Sequence, residues 1–284
     1  HQGLPASGAT YLFERQGDAW VETHKLVPND PRVEGFFGAK LAIDGDTALV
    51  GDYNHPQAGA SSGAVYVFER APEGWAQVQR LRPSDLAFSD FFGWSVAVRG
   101  EWLVAGATLS DPMGIDSGAA YAYRRTDAGW VEVQKLFAPD GQALDRFGTS
   151  IAVAGTRIAV GATTTYYEGV RGGAVYVFDF DGSAWQFVQK VGAPDVAHLA
   201  RFGISVSLDG EQLLVGASLD PEGIVGSGSA YLFRDQGSGY ALVRKLRAPD
   251  ASANDFLGVS VALSQGIALV GVYADDHACP WTMH

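Results

Sequence analysis

The sequence predicts an all-β fold, a five-bladed β-propeller with four antiparallel strands in each blade. The 284 residues repeat with a period of 55, and within each copy apolar residues alternate with a period of two. The chain ends also fall at different phases of the repeat, which suits a closed ring.

Five columns define the repeat. Gly38, Gly93, Gly148, Gly203 and Gly258 follow Phe37, Phe92, Phe147, Phe202 and Leu257. Gly51, Gly106, Gly161, Gly216 and Gly271 form a second column. Tyr11, Tyr66, Tyr121, Tyr176 and Tyr231 each stand three residues after a glycine. Trp20, Trp75, Trp130, Trp185 and Tyr240 make a fourth, and Asp30, Asp85, Asp140, Asp195 and Asp250 a fifth. No insertion or deletion interrupts the alignment.

The second copy shows the elements in order. Trp94 to Val98 alternates large and small side chains as a first strand, and Arg99-Gly100 is a tight turn like Asp44-Gly45 and Asp209-Gly210. Trp102 to Ala105 is the second strand, ending at Gly106. After a loop, Ala120 to Tyr123 is the third, and Asp127-Ala128-Gly129 turns into a fourth from Trp130 to Leu136. The chain begins just before a third strand (Thr10 to Glu14) and ends just after a second (Ala268 to Tyr273). One domain over 1–284 is expected, with blades at about 36–90, 91–145, 146–200 and 201–255. The last blade would join 256–275 with 1–35, closing the ring and removing open edges.

The columns have structural readings. Ala42, Ala97, Ala152, Ser207 and Ala262 give the small residues an inner strand needs, beside hydroxyls at Ser95, Ser150, Ser205 and Ser260. Lys40 breaks that hydroxyl column and places one cation near the axis. The tryptophans are expected to pack on the neighbouring blade. The aspartates suit turn formation and pair by sequence with Lys25, Arg80, Lys135, Lys190 and Lys245, five residues earlier.

The run Phe92-Gly93-Trp94-Ser95-Val96-Ala97-Val98, then Ala105-Gly106-Ala107, then Ser117 to Tyr123, resembles the FG-GAP repeat, which builds the β-propeller of integrin α chains. Phe147 to Ile151, Val160-Gly161-Ala162 and Gly173 to Phe178 match it equally well, and the resemblance spans essentially the whole chain. It is nearest in character to secreted or surface proteins of bacteria. It implies an extracytoplasmic adhesion or ligand-binding module rather than an enzyme. Integrin blades number seven, and many hold calcium in a long hairpin loop; here Ala154-Gly155 and Ser264-Gln265 are two-residue turns, so the calcium sites do not carry over.

Composition narrows the partners. The net charge of -12 opposes nucleic acid and anionic surfaces. No apolar run reaches the roughly 18 residues that span a bilayer, so membrane insertion is not expected. A single cysteine excludes a disulfide framework, and nothing requires more than a monomer. A chain beginning at His1 fits removal of a leader, in keeping with a secreted, surface or periplasmic location.

Function is expected on the loops between second and third strands, which differ most between copies and share a face with the fourth-to-first connections. Candidate ligand residues for carbohydrate or protein are Tyr53, Asn54, His55, Asp111, Tyr166, Tyr167, Glu168, Asp220 and Glu222, with Phe88 a further exposed aromatic. An alternative is a transition-metal site, with copper as the candidate, built from His1, His277, Cys279, Met283 and His284, whose soft sulfur and imidazole donors suit it. A third reading, glycoside hydrolysis, needs carboxylates converging at the axis. Glu34, Asp90, Asp145 and Asp255 form a near-column there, but Ala200 interrupts it.

Overall fold

The computed structural model describes residues 7–33, 35–195, 197–221 and 223–275. Its elements are all strands. The chain opens with a two-stranded sheet, β1 (Thr10–Gln16) with β2 (Ala19–Leu26). Four sheets of four strands follow. The first is β3 (Lys40–Asp44), β4 (Thr47–Asp52), β5 (Ala64–Ala71) and β6 (Gly74–Leu81), hydrogen-bonded in that order. The second repeats it as β7 (Phe92–Arg99), β8 (Trp102–Ala107), β9 (Ala119–Thr126) and β10 (Gly129–Leu136). In the third, β11 (Phe147–Ala154) and β12 (Arg157–Ala162) precede β15 (Ala174–Phe180) and β16 (Trp185–Val191). A small inserted hairpin, β13 (Tyr166–Tyr167) with β14 (Val170–Arg171), occupies its loop. The fourth is β17 (Phe202–Asp209), β18 (Gln212–Ala217), β19 (Ser229–Asp235) and β20 (Tyr240–Leu246), and β21 (Ser260–Ser264) with β22 (Ile267–Gly271) ends the chain as a second two-stranded sheet. These meanders, repeated five times in sequence, are the blade pattern of a propeller.

The first hairpin of each repeat turns in two residues because its glycine takes a left-handed conformation: φ is 54° at Gly45, 58° at Gly100, 57° at Gly155 and 56° at Gly210. The outer pairs share a β-bulge. Register shifts between Leu12 and Phe13, Val67 and Phe68, and Leu232 and Phe233, leaving Thr23, Val78 and Val243 without a cross-strand partner. Bulging twists the outermost strand away from flat edge pairing.

Two compact units divide the described chain, residues 1–158 with 179–186 and residues 159–178 with 187–284. In the first, Leu49, Val65 and Val67 of one sheet pack with Phe92, Val98, Leu103 and Tyr121 of the next, and buried Trp130 joins this cluster as expected. A second cluster sets Leu12 and Leu26 of the opening hairpin against Phe37, Val50, Tyr66 and Phe68. In the second unit Val175, Val177 and Val191 pack with Phe202, Leu213, Val215 and Phe233, while Leu214 and Ala230 pack with Leu257 and Leu263. Each core thus lies between consecutive sheets, not inside one.

The glycine columns exist for this stacking. A Cβ on Gly106 would overlap the Gly148 carbonyl, and one on Gly216 the Gly258 carbonyl. The serine column braces the same junction: Ser95 Oγ donates to the Gly148 carbonyl at 2.7 Å and Ser205 Oγ to that of Gly258 at 2.8 Å. These hydroxyls join sheets rather than line a channel.

The expected last blade is represented by two hairpins. β1-β2 and β21-β22 stand as separate two-stranded sheets instead of one sheet of four. Ile267 and Leu269 are 68% and 67% exposed, where their repeat equivalents Trp102 and Val104 are buried.

Candidate functional site

The aspartate column organises the loop end of the sheets. Tyr66 Oη donates to Asp30 Oδ1 at 3.0 Å and Arg80 pairs with the same carboxylate. Tyr121 Oη donates to Asp85 at 2.8 Å and Lys135 Nζ lies 2.6 Å from it. Lys245 Nζ meets Asp195 at 2.9 Å. Each of these three aspartates therefore pairs with the cation fifty residues later, not with the lysine or arginine five residues earlier that sequence proximity suggested. Lys25 lies over its own Tyr11 ring instead, 5.2 Å from the centroid. Burial alone would raise the carboxyl of Asp85, but hydrogen bonds from Lys135 and Tyr121 and the lysine charge outweigh it and hold the group below its ordinary range.

Several predicted ligand residues are part of this scaffold. His55 is buried, with Nε2 3.2 Å from Asp30 and 3.1 Å from Arg32 Nη2. Burial, then the Arg32 charge, pushes its imidazole below the usual histidine range despite Asp30, so it is neutral near pH 7. Asp220 is also buried, accepting from Tyr231 Oη at 2.7 Å and from Lys245 Nζ at 2.6 Å. Both face inward because their column contacts the repeat tyrosine. Asn54 Oδ1 accepts the Ser61 hydroxyl at 2.6 Å, and Asp111 Oδ1 accepts the Asp116 N–H at 2.8 Å, so each closes its own loop. Tyr166, Tyr167 and Glu168 lie on the β13-β14 hairpin, with Tyr166 exposed and Tyr167 over Gly192. A cavity of about 210 Å³ lies there, lined by Tyr167, Glu168, Gln189, Phe233, Tyr240 and Leu242. Phe88 is exposed. Glu222, Glu34 and the metal candidates His1, His277, Cys279, Met283 and His284 lie outside the described residues. Among those described, no cluster of three metal-ligating side chains occurs.

The near-column of carboxylates serves its own loops. Asp90, Asp145 and Asp255 are buried, and each accepts the N–H three residues earlier, from Ala87 at 2.7 Å, Gln142 at 2.8 Å and Ser252 at 2.6 Å. They hold loops in which Ser89 and Phe91, Leu144 and Arg146, and Asn254 and Phe256 take positive φ. These acids are turn formers within their loops.

One aromatic group at the loop end of the first unit was not anticipated. Tyr53 sits 5.1 Å from Phe36, 5.8 Å from Phe91 and 5.0 Å from Trp94 between ring centroids, and Phe91 stacks on Trp94 at 6.0 Å and 17°. Lys40 Nζ lies over Trp94, 5.5 Å from its centroid. Phe36 is 45% exposed, and the other members are half-buried. Buried Asp52 accepts the Phe36 N–H at 3.1 Å and fixes that residue's backbone. Of the group, sequence reasoning had picked only Tyr53 as a ligand residue. The signal was present in the columns, since phenylalanine stands at 36, 91 and 256 where arginine stands at 146 and 201. A larger cleft of about 560 Å³ lies at the opposite, hairpin end, among Asp44, Arg99, Glu101, Trp102 and Thr156.

No curated protein matches the chain. Among solved structures, a chain in the crystal structure of the mitotic checkpoint complex superposes with a TM-score of 0.58 at 12% identity. The match covers 94% of this chain and 66% of that one, less than two thirds of its length, and at such identity it speaks to the fold alone. The FG-GAP repeat family matches residues 20–68, 75–123, 130–178, 185–233 and 240–280, which are the five copies read from the columns. The chain belongs to the FG-GAP repeat family.

Proposed function

We propose that the chain is a non-catalytic, extracytoplasmic binding module that engages a carbohydrate or protein ligand with the loop end of its blades. FG-GAP repeats suggest a binding propeller of this kind. The observation that carries the reading is the half-exposed aromatic group of Phe36, Tyr53, Phe91 and Trp94, held at the end where the variable loops emerge. Solvent-accessible aromatics on a rigid scaffold supply contact area with little entropy to lose, which is what ligand surfaces use. Asp90, Asp145 and Asp255 are spent on closing their own loops, which favours binding over hydrolysis by that column.

The test is a glycan array run beside a panel of extracellular proteins, with the purified chain and a Tyr53→Thr/Trp94→Thr variant carrying the residues of the other repeats. Binding by the parent that the variant loses supports the reading. Binding that survives those substitutions, or absence of any ligand from both panels, overturns it.

A further inference from the structure

We propose that the corner formed by Lys40, Tyr53 and Trp94 binds a pyranose ring bearing a carboxylate, an acidic sugar of uronate or sialate type. The inference rests on the binding-module reading and names the ligand class of that same surface.

The five repeats provide an internal control, because the fold demands the same of each column. Serine occupies positions 95, 150, 205 and 260, and two of these hydroxyls brace the next sheet; position 40 alone is lysine. Position 94 is tryptophan where the equivalents are Ala39, Thr149, Ile204 and Val259. Position 53 is tyrosine where Thr108, Thr163 and Ser218 stand, shared only with Tyr273 of the last repeat, and position 52 is a buried aspartate where Ala107, Ala162, Ala217 and Val272 stand. Scaffold needs are met by the small and hydroxyl residues. The two departures Lys40 and Trp94 meet Tyr53 within one corner, since Tyr53 is 5.0 Å from Trp94 and Lys40 Nζ 5.5 Å from the same indole.

The chemistry of the corner selects its ligand. The rings of Tyr53, Phe91 and Trp94 offer apolar faces for the C–H side of a sugar ring. The Lys40 ammonium has no hydrogen bond or ion pair among the described residues, and its contact with Trp94 leaves its N–H donors for an oxygen acceptor. Burial lowers this lysine below its ordinary range, so a counter-anion there recovers solvation the site has removed. One carboxylate at hydrogen-bond range suits a chain of net charge -12 better than a polyphosphate, whose charge the acidic surface repels.

The experiment measures binding of the parent chain to an immobilised galactose oligomer capped by a single galacturonate and to the neutral galactose oligomer of equal length. It is repeated with Lys40→Ser, Lys40→Arg, Trp94→Thr and, as a control on the outer bulge, Val243→Thr. Thermal melts verify that each variant is folded. The parent should bind the acidic oligomer at least about tenfold more tightly. Lys40→Ser should abolish that preference and Lys40→Arg retain it, while Trp94→Thr should weaken both ligands and Val243→Thr neither. Equal binding of acidic and neutral oligomers, or a preference indifferent to Lys40→Ser, overturns the inference and leaves the binding-module reading standing. Capture of a peptide ligand with no sugar bound does the same. A chain that binds nothing in either panel loses both.

Discussion

Tyr121 is a fully buried side chain whose hydroxyl depends on one carboxylate, and Tyr66 repeats the arrangement with Asp30. Removing that hydroxyl as Tyr121→Phe loses one hydrogen bond to a charged acceptor that keeps its lysine. The expected loss is about 1–2 kcal/mol of unfolding free energy in a urea titration. Asp85→Ala should cost more, because it strands the tyrosine hydroxyl in the core; a smaller loss than Tyr121→Phe would refute the assignment. The carboxylates also set an acid limit. Asp30, Asp85 and Asp195 are each held below the ordinary range by partners that outweigh burial, so their contribution is fully present above the unfolded value near 4. It disappears as pH falls through the lowered folded values. Asp52 and Asp90 act in the opposite sense: burial raises them, so protonation on acidification relieves a cost. Melting temperature should therefore begin to fall below about pH 6.5, where buried His55 resists the proton its unfolded form takes up, and fall steeply below about 4. Asp85→Asn should shallow that fall, and an unchanged acid limb would show that Asp85 does not carry it.

Contacts between consecutive sheets add to the ladders within them in holding the strands in place. Gln79 Nε2 donates to the Trp130 carbonyl at 2.8 Å while Trp130 N–H donates back to Gln79 Oε1 at 2.9 Å, and Gln134 clamps Trp185 in the same way. Gln79→Ala should cost about 1–3 kcal/mol by leaving a buried amide unpaired. Gly106→Ala drives a methyl into the Gly148 carbonyl, whereas Gly100→Ala meets open space and strains only its turn. Chemical denaturation should show Gly106→Ala as the more harmful, by about 1–3 kcal/mol for overpacking, and equal effects would deny the close approach. These elements mark the limits of what the sequence made legible. Blades, hairpins and the tryptophan packing followed from glycine, tyrosine and tryptophan columns, since each marks a local demand. The aspartate partners did not, because the nearest cation in sequence lies on a strand already committed elsewhere. The bulge was invisible because Val78 and Val243 continue the apolar alternation that the backbone breaks. His55 and Asp220 looked like loop ligands because burial against the tyrosine eleven residues later leaves no mark in the local sequence. The aromatic corner was legible only by comparing columns for departures rather than for constancy.

At the scale of the molecule, stability is a sum over neighbouring repeats, and the terminal hairpins have the least to add. β4 and β8 are buried along their whole length, and β5 and β9 for most of theirs. In β1-β2, by contrast, Trp20 is 69% exposed where Trp130 is buried, and most of β22 is exposed. A two-stranded hairpin is marginal alone, so each end should open locally well below the free energy of global unfolding. Hydrogen exchange read by mass spectrometry should find fast amides across 10–26 and 260–271 and the slowest ones in Trp102–Ala107 and Ala119–Thr126. The single substitution Leu26→Ala removes the buried anchor of the opening hairpin and should release 10–26 further while leaving exchange in Ala119–Thr126 unchanged. Protection at both ends equal to that of the interior sheets would mean that the exposed faces of β1 and β22 are covered in solution, and the gradient argued from burial would fall.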